Sequence, residues 1–263
     1  MKFCSLYSGS SGNSIFIASD RAKILIDAGL PGKKIDEAIK SIGEDPSALD
    51  GIFITHEHSD HIKGVGVLSR KYDIPIYAND KTWFAMENSL GKIKEHNIKI
   101  MDRRSIIEIE DLAIKSFIIP HDAVAAVGYS VVCDDKKVSV ATDFGTFTQE
   151  IYENIKDSKV ILLESNHDVN MLKFGPYPYN LKRRILSEVG HLSNDDCGKA
   201  IIDIAKNGLG KKIILGHLSN TNNHPDLAFQ TVLNVIQEHG LKQGEDILLS
   251  MASRHEPSGY VEL

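Results

Sequence analysis

The sequence predicts an α/β protein in which two β-sheets pack together with helices on the outside. A series of short strand-type runs followed by helical periodicity occurs twice, before and after about residue 125. Helices outside stacked sheets are one of the few layer arrangements that bury both kinds of element. With 263 residues and 42% apolar composition, the chain can fill a complete core. The reading is a single domain, residues 1–263, built of two ββα-type halves that meet near residue 125.

The elements follow in order. Strand-type runs at Lys2–Tyr7, Ser14–Ala18 and Ala22–Ile26, with the turn-forming Gly9-Ser10-Ser11-Gly12-Asn13 between the first two, predict an antiparallel meander. A helix is expected over Lys33–Ile42, then a buried strand at Gly51–Thr55, then helical stretches at Ile62–Tyr72 and Thr82–Leu90. Strands return at Ile106–Ile109, Leu112–Ile119, Gly128–Val132 and Val138–Ala141. Beyond them, Val160–Leu163 and Ile213–Leu215 read as strands, and Ile247–Met251 and Tyr260–Leu263 close the chain. Two late helices stand out: Ala200, Ile201, Ile204 and Ala205 follow Asn194 as N-cap, and Phe229, Val232, Leu233 and Ile236 follow Pro225. Gly208 and Gly240 are placed to end them.

Charge and cysteines narrow the function classes. Thirty Lys and Arg against 36 Asp and Glu give a net charge of -6, which argues against coating nucleic acid through bulk charge but leaves a locally basic or metal-charged cleft open. Cys4, Cys133 and Cys197 are odd in number and lack a C-x-x-C pair, so they predict structural thiols in a reducing, cytoplasmic setting. The stretch Met1–Ser14 does not read as a signal peptide. No run approaches the roughly 18 apolar residues of a membrane helix, so no membrane partner is expected. Protein partners are not readable.

The strongest chemical signal is His56-Glu57-His58-Ser59-Asp60-His61, directly after a buried strand and before a helical stretch. In an extended segment residues two apart point the same way, so His56 and His58 can share one metal, while the turn into the helix aims Asp60 and His61 toward a second. A catalytic metal needs at least three protein ligands plus an open position. Candidates stand where three other strand runs end: His121, Asp143 and His217.

This order, H-x-H-x-D-H followed by His, Asp and His, resembles the metallo-β-lactamase superfamily across almost the whole chain. The resemblance implies an αββα sandwich, with His56, His58 and His121 on one divalent metal, Asp60, His61 and His217 on a second, and Asp143 bridging. The carboxylate at Asp143 resembles that of phosphodiesterases, nucleases and glyoxalase II rather than of β-lactamases. The interval from Asp143 to His217 is too short for the inserted domain of the β-CASP enzymes. Leu163-Glu164-Ser165-Asn166-His167-Asp168 and Gly190-His191-Leu192-Ser193-Asn194 resemble segments of the tRNA 3′-processing nucleases, although those place their His before the Glu. Carried over, Glu164 and His191 act as a pair at the leaving group. Together with Ser8–Ser14, these segments look most like the WalJ/YycJ group of bacterial proteins, generally regarded as DNA exonucleases or metallohydrolases.

The implied function is metal-dependent phosphodiester hydrolysis, with DNA as the substrate and Asp60 orienting or deprotonating a water shared by two cations. Zinc suits such ligands best, and Mn²⁺ or Fe²⁺ also accept them. Two other readings stay open: a thioester hydrolase of the glyoxalase II type, and a non-catalytic metal-binding module. Lys182-Arg183-Arg184, with Lys173, either grips flanking phosphates or is a solvated helix face. His167 is either functional or a hydrogen bonder at a helix start, and His255 either lines the cleft or lies at the surface. The Ser8–Ser14 loop either offers N–H groups to phosphate or is an ordinary hairpin turn. His96, His224 and His239 read as surface or capping residues.

Overall fold

The computed structural model describes residues 1–263. Strands β1 (Lys2–Tyr7), β2 (Ser14–Ala18) and β3 (Lys23–Ile26) form the expected antiparallel meander. From β3 the sheet continues in parallel through β4 (Gly51–Phe53), β5 (Ile76–Ala78) and β6 (Ile98–Ile100), with crossovers carried by helices α1 (Gly32–Ser41), α2 (Ser59–Ile62), α3 (Val65–Tyr72) and α4 (Asp80–Leu90). The second sheet repeats that plan. β7 (Ile106–Ile109), β8 (Leu112–Ile118), β9 (Val127–Cys133) and β10 (Lys136–Ala141) are antiparallel neighbours, and β11 (Val160–Glu164), β12 (Lys211–Gly216) and β13 (Ile247–Met251) extend the sheet in parallel. Its helices are α5 (Gln149–Ile155), α6 (Val169–Phe174), α7 (Tyr179–Ile185), α8 (Asn194–Ala205) and α9 (Pro225–Glu238).

Alternation along the strands makes four layers. In β2, Ile15 and Ile17 face a core shared between the sheets, whereas Phe16 and Ala18 face a separate core under α1, α3 and α4. Side chains of period two point to opposite faces, so a strand apolar at every position must be covered on both. The second sheet does the same with Ile214 facing inward and Ile213 and Leu215 facing α8 and α9. The result is the αββα sandwich.

Several local expectations shift. The chain passes from the first sheet to the second between Ile100 and Ile106, ahead of residue 125, and β14 (Val261–Glu262) returns to pair with β1. The helix expected over Ile62–Tyr72 is two, interrupted at Gly64, whose N–H donates to Ala28 O at 2.7 Å and where a Cβ would lie 2.4 Å from Leu30 O. α8 is capped by Ser193, whose Oγ accepts from Asp196 N at 3.1 Å, with Asn194 the first helical residue. All three cysteines are free and buried. Burial pushes the Cys4 thiol up to about 11 and that of Cys197 further, so neither is a thiolate ligand at neutral pH. No helix is long and apolar enough to cross a membrane.

Candidate metal centre

The segment Thr55–His61 leaves the end of β4 and enters α2, and the loops after β8, β10, β11 and β12 converge on it. Three backbones there are unusual. Asp27, Asp143 and His217, each just beyond or at the end of a strand, have φ of 60°, 63° and 54°. Asp and His tolerate this left-handed region better than most residues, and such turns, costly in free energy, cluster at functional sites.

The structure brings the predicted ligands together in two groups. In the first, His56 Nε2 and His58 Nδ1 are 3.1 Å apart and His121 Nε2 is 3.3 Å from His58 Nδ1. In the second, Asp60 Oδ2 lies 3.6 Å from His61 Nε2 and 3.7 Å from His217 Nε2. Asp143 stands between the groups: Oδ1 is 3.2 Å from His217 Nε2 and 3.9 Å from His121 Nε2, and Oδ2 is 3.4 Å from His61 Nε2. Nitrogens about 2.0–2.1 Å from a tetrahedral ion must lie roughly 3.3 Å from each other, which is the spacing of the first group.

Hydrogen bonds on the far ring nitrogens decide which atoms face inward. His61 Nδ1 donates to Asp27 Oδ2 at 2.7 Å, and His56 Nδ1 donates to Thr55 Oγ1 at 3.0 Å, whose hydroxyl donates to Asp27 Oδ2 at 2.7 Å. His217 Nδ1 donates to Glu164 Oε1 at 3.0 Å, and His121 Nδ1 donates to Gly190 O at 3.3 Å. Four imidazoles therefore turn Nε2 toward the centre, the arrangement in which a ligating histidine is fixed through its other nitrogen. There the Nε2 of His61 also lies 3.1 Å from Asn13 Nδ2.

These residues fit divalent cations. His217 Nε2 and Asp143 Oδ2 are buried without any hydrogen-bond partner, although such groups are normally paired. The field also asks for positive charge. Burial alone would lower His61, yet Asp143, Asp27 and Asp60 raise it to about 9, and His217 is raised well above the ordinary value in the same way. Burial would raise Asp60, but His61 and His217 hold it below the usual carboxylate range.

Beside this centre, His191 Nδ1 donates to Glu164 Oε1 at 2.8 Å, leaving its Nε2 edge at the partly open side; the ring is 20% exposed against 2% for that of His217. Glu164, fully buried, also accepts from Phe144 N at 2.8 Å. It therefore ties His191 to His217, a second partner that the sequence reading lacked.

Asp27 and Thr55 were missed. The signal was present, since Ile24-Leu25-Ile26-Asp27 repeats the apolar run followed by a ligand-type residue that marked His121, Asp143 and His217. The open alternatives divide. Both ring nitrogens of His167 lack partners, and the cap of α6 is Asp168, whose Oδ1 accepts from Met171 N at 2.7 Å, so the His167 ring is not a helix-start hydrogen bonder, although its carbonyl accepts from Asn194 N at the start of α8 at 2.9 Å. In the Ser8–Ser14 loop the N–H groups of Ser8, Gly9, Gly12 and Asn13 are engaged by Ser253 O, Asn13 Oδ1, Gly9 O and Asp60 O, which favours the turn reading. His255 lines a cavity of about 410 Å³ with Ser8, Asn220, His224 and Arg254, next to the loop of His217. His96 and His224 are exposed, and His239 caps the end of α9.

The comparisons with known proteins agree with this architecture. Exodeoxyribonuclease WalJ of Streptococcus pneumoniae is 46% identical over 247 residues, covering 93% of this chain and 91% of the relative. Exodeoxyribonuclease YycJ of Bacillus anthracis is 42% identical over 245 residues, covering 93% and 92%. Among solved structures, Zn²⁺-bound PqqB from Methylobacterium extorquens superposes over the full length of both chains with a TM-score of 0.73 at 14% identity, a likeness of fold. The family model of the Metallo-beta-lactamase superfamily matches residues 7–174, from β1 through the H-x-H-x-D-H segment to α6, and the chain belongs to that superfamily.

Proposed function

We propose that this protein is a metal-dependent phosphodiesterase that shortens DNA from an end. The observation that carries the reading is two donor groups joined at Asp143, with the Glu164–His191 pair on their partly open side. The exodeoxyribonuclease relatives, which match nearly the whole chain, support DNA over other phosphodiesters. A DNA substrate and three free buried thiols support a cytoplasmic location.

His56, His58 and His121 would hold one cation, Asp60, His61 and His217 a second, and Asp143 both; zinc is the best match to five imidazoles, with Mn²⁺ and Fe²⁺ acceptable. Bound there, the cations supply the positive charge that activates water and neutralises phosphate oxygens. The chain's own groups do the rest. Asp60, with its carboxylate held ionised, accepts a hydrogen bond from the attacking water and orients it. Glu164 fixes the His191 ring through Nδ1, and although burial alone would lower His191, the Glu164 carboxylate raises it above the ordinary value, which favours the imidazolium whose Nε2 proton is given to the departing sugar oxygen. Thr55 and Asp27 hold His56 and His61 in register.

The test is one panel: metal-loaded protein with end-labelled single- and double-stranded DNA, RNA, bis-p-nitrophenyl phosphate and a glutathione thioester. Cleavage of DNA from an end, with elemental analysis near two metals per chain, is expected. Turnover of the thioester with every phosphodiester left intact would reverse the assignment.

A second outcome concerns Asp27, which belongs to neither donor group. Asp27→Asn preserves shape and tolerance of positive φ but removes the charge that anchors His61 and Thr55. Loss of a carboxylate behind a ligating histidine typically weakens metal binding about 10- to 100-fold. Chelator competition should show that loss in the group containing His61, and unchanged affinity would remove Asp27 from the metal's support.

A further inference from the structure

The segment between β11 and His191 has a composition unlike the rest of the chain. From Val169 to Ser187 it contains Lys173, Lys182, Arg183 and Arg184 and no Asp or Glu, within a protein of net charge -6. It also displays apolar surface: Met171, Phe174, Tyr179, Leu186 and, just beyond, Val189 are exposed, with Phe174 at 87% and Tyr179 at 73%. Single exposed apolar residues are ordinary, but a cluster on one rigid lobe marks a contact surface.

The lobe is rigid for identifiable reasons. Pro176 and Pro178 fix the backbone between Phe174 and Tyr179. Lys182 Nζ donates to Lys173 O at 2.8 Å and Gly175 O at 2.7 Å, so its charge closes the end of α6 onto α7. At Gly175 a Cβ would lie 2.4 Å from Met171 O and 2.8 Å from Asn222 Oδ1, so only glycine fits there. The lobe is also fastened to both sides of the metal centre. Asp168 N donates to Asn222 O at 2.9 Å on the His217 side, while Arg184 pairs with Asp122, next to His121, and His191 N donates to Ile185 O at 3.0 Å. Of the four cations, Lys182 and Arg184 are thus occupied. Lys173 and Arg183 remain exposed, with the Arg183 guanidinium 5.9 Å from the Tyr179 ring centre.

We infer that Phe174 and Tyr179 form a stacking platform for unpaired bases of the nucleic acid substrate, with Lys173 and Arg183 on the adjoining phosphates. Exposed aromatic faces interleaved with free cations are the combination that binds single strands without reading sequence, because every base offers a π-face and every nucleotide a phosphate. Charge complementarity selects this occupant, since Lys173, Lys182, Arg183 and Arg184 outnumber the two flanking carboxylates, Asp168 and Glu188, and no other carboxylate lies between those two. The platform rests on the proposed nuclease activity and adds that the lobe receives a frayed or single-stranded end.

The experiment compares wild type with Phe174→Ala, Tyr179→Ala and the double variant on three substrates: single-stranded DNA, the same strand with abasic end nucleotides, and bis-p-nitrophenyl phosphate. Both side chains lie mostly in water, so the fold is expected to survive, which circular dichroism checks. Each Ala variant should raise KM for the base-bearing strand roughly 5- to 100-fold, the scale of one stacked base, with kcat little changed. Turnover of bis-p-nitrophenyl phosphate should stay constant, and the abasic strand should bind wild type and variants alike. Phe174→Tyr and Tyr179→Phe should restore affinity and the quenching of a 2-aminopurine placed at the end. A double variant with wild-type KM, or equal losses on base-bearing and abasic strands, overturns the platform while leaving nuclease activity intact. Base-dependent binding of an uncleavable phosphorothioate strand without any DNA cleavage would instead uphold the platform and reject the nuclease reading.

Discussion

Asp143→Asn is expected to strip metal from both donor groups and to reduce phosphodiester hydrolysis by on the order of 10³-fold or more, the scale set by losing preorganised charge at the reacting centre. Asp143 reaches both groups, Oδ1 toward His217 and His121 and Oδ2 toward His61. Asn is preferred to Ala because the residue sits at φ 63°, where Asn is tolerated and Ala adds strain of about 1 kcal/mol. The variant should therefore fold and report on charge alone. His58→Ala supplies the contrast. His58 touches only His56 and His121 among the donors, so its loss should leave roughly one metal per chain. Elemental analysis after metal-saturating purification checks both, and two tightly held metals in Asp143→Asn would exclude a bridging role.

His191→Ala should keep both metals and lower turnover of DNA by about 10² to 10⁴, the usual scale of general-acid assistance. The deficit should shrink on bis-p-nitrophenyl phosphate, because p-nitrophenolate departs without a proton whereas a deoxyribose oxygen does not. Geometry explains why His191 is separable: its Nδ1 is committed to Glu164, and it approaches Asp143 Oδ1 only at 3.8 Å through that same nitrogen. Glu164 is not separable in this way. Its carboxylate serves His191 and His217 at once, so Glu164→Gln should combine a leaving-group deficit with weakened metal binding. Metal loss in His191→Ala would make it a ligand, and equal losses on both substrates would indicate phosphate positioning.

Much of the candidate site was legible because its first elements are local. His56, His58, Asp60 and His61 lie within six residues, where chain geometry alone decides which side chains can converge. His121, Asp143 and His217 were legible because each follows an apolar strand run, and Asp27 carried the same mark without being read. The two-sheet architecture was legible in the alternation of strands and helices, whereas the passage between sheets ahead of Ile106 was not. Sequence periodicity reports which face of an element is buried but not which strand it pairs with.

By itself the sequence determined the layered fold class, the clustered candidate ligands and the order of the remaining candidates. Tertiary structure alone decided the rest: Asp27 behind His61 across 34 residues, Glu164 shared by His191 and His217 across 27 and 53, and Ser8 holding His217 N across 209. It also decided that the Lys182–Arg184 cluster divides into two cations used within the protein and one left free beside an exposed aromatic ring. The physical reason is the same in each case. Hydrogen bonds and ion pairs act over a few ångströms, and which distant residues come that close is set by sheet register and layer packing, about which local spacing carries no information.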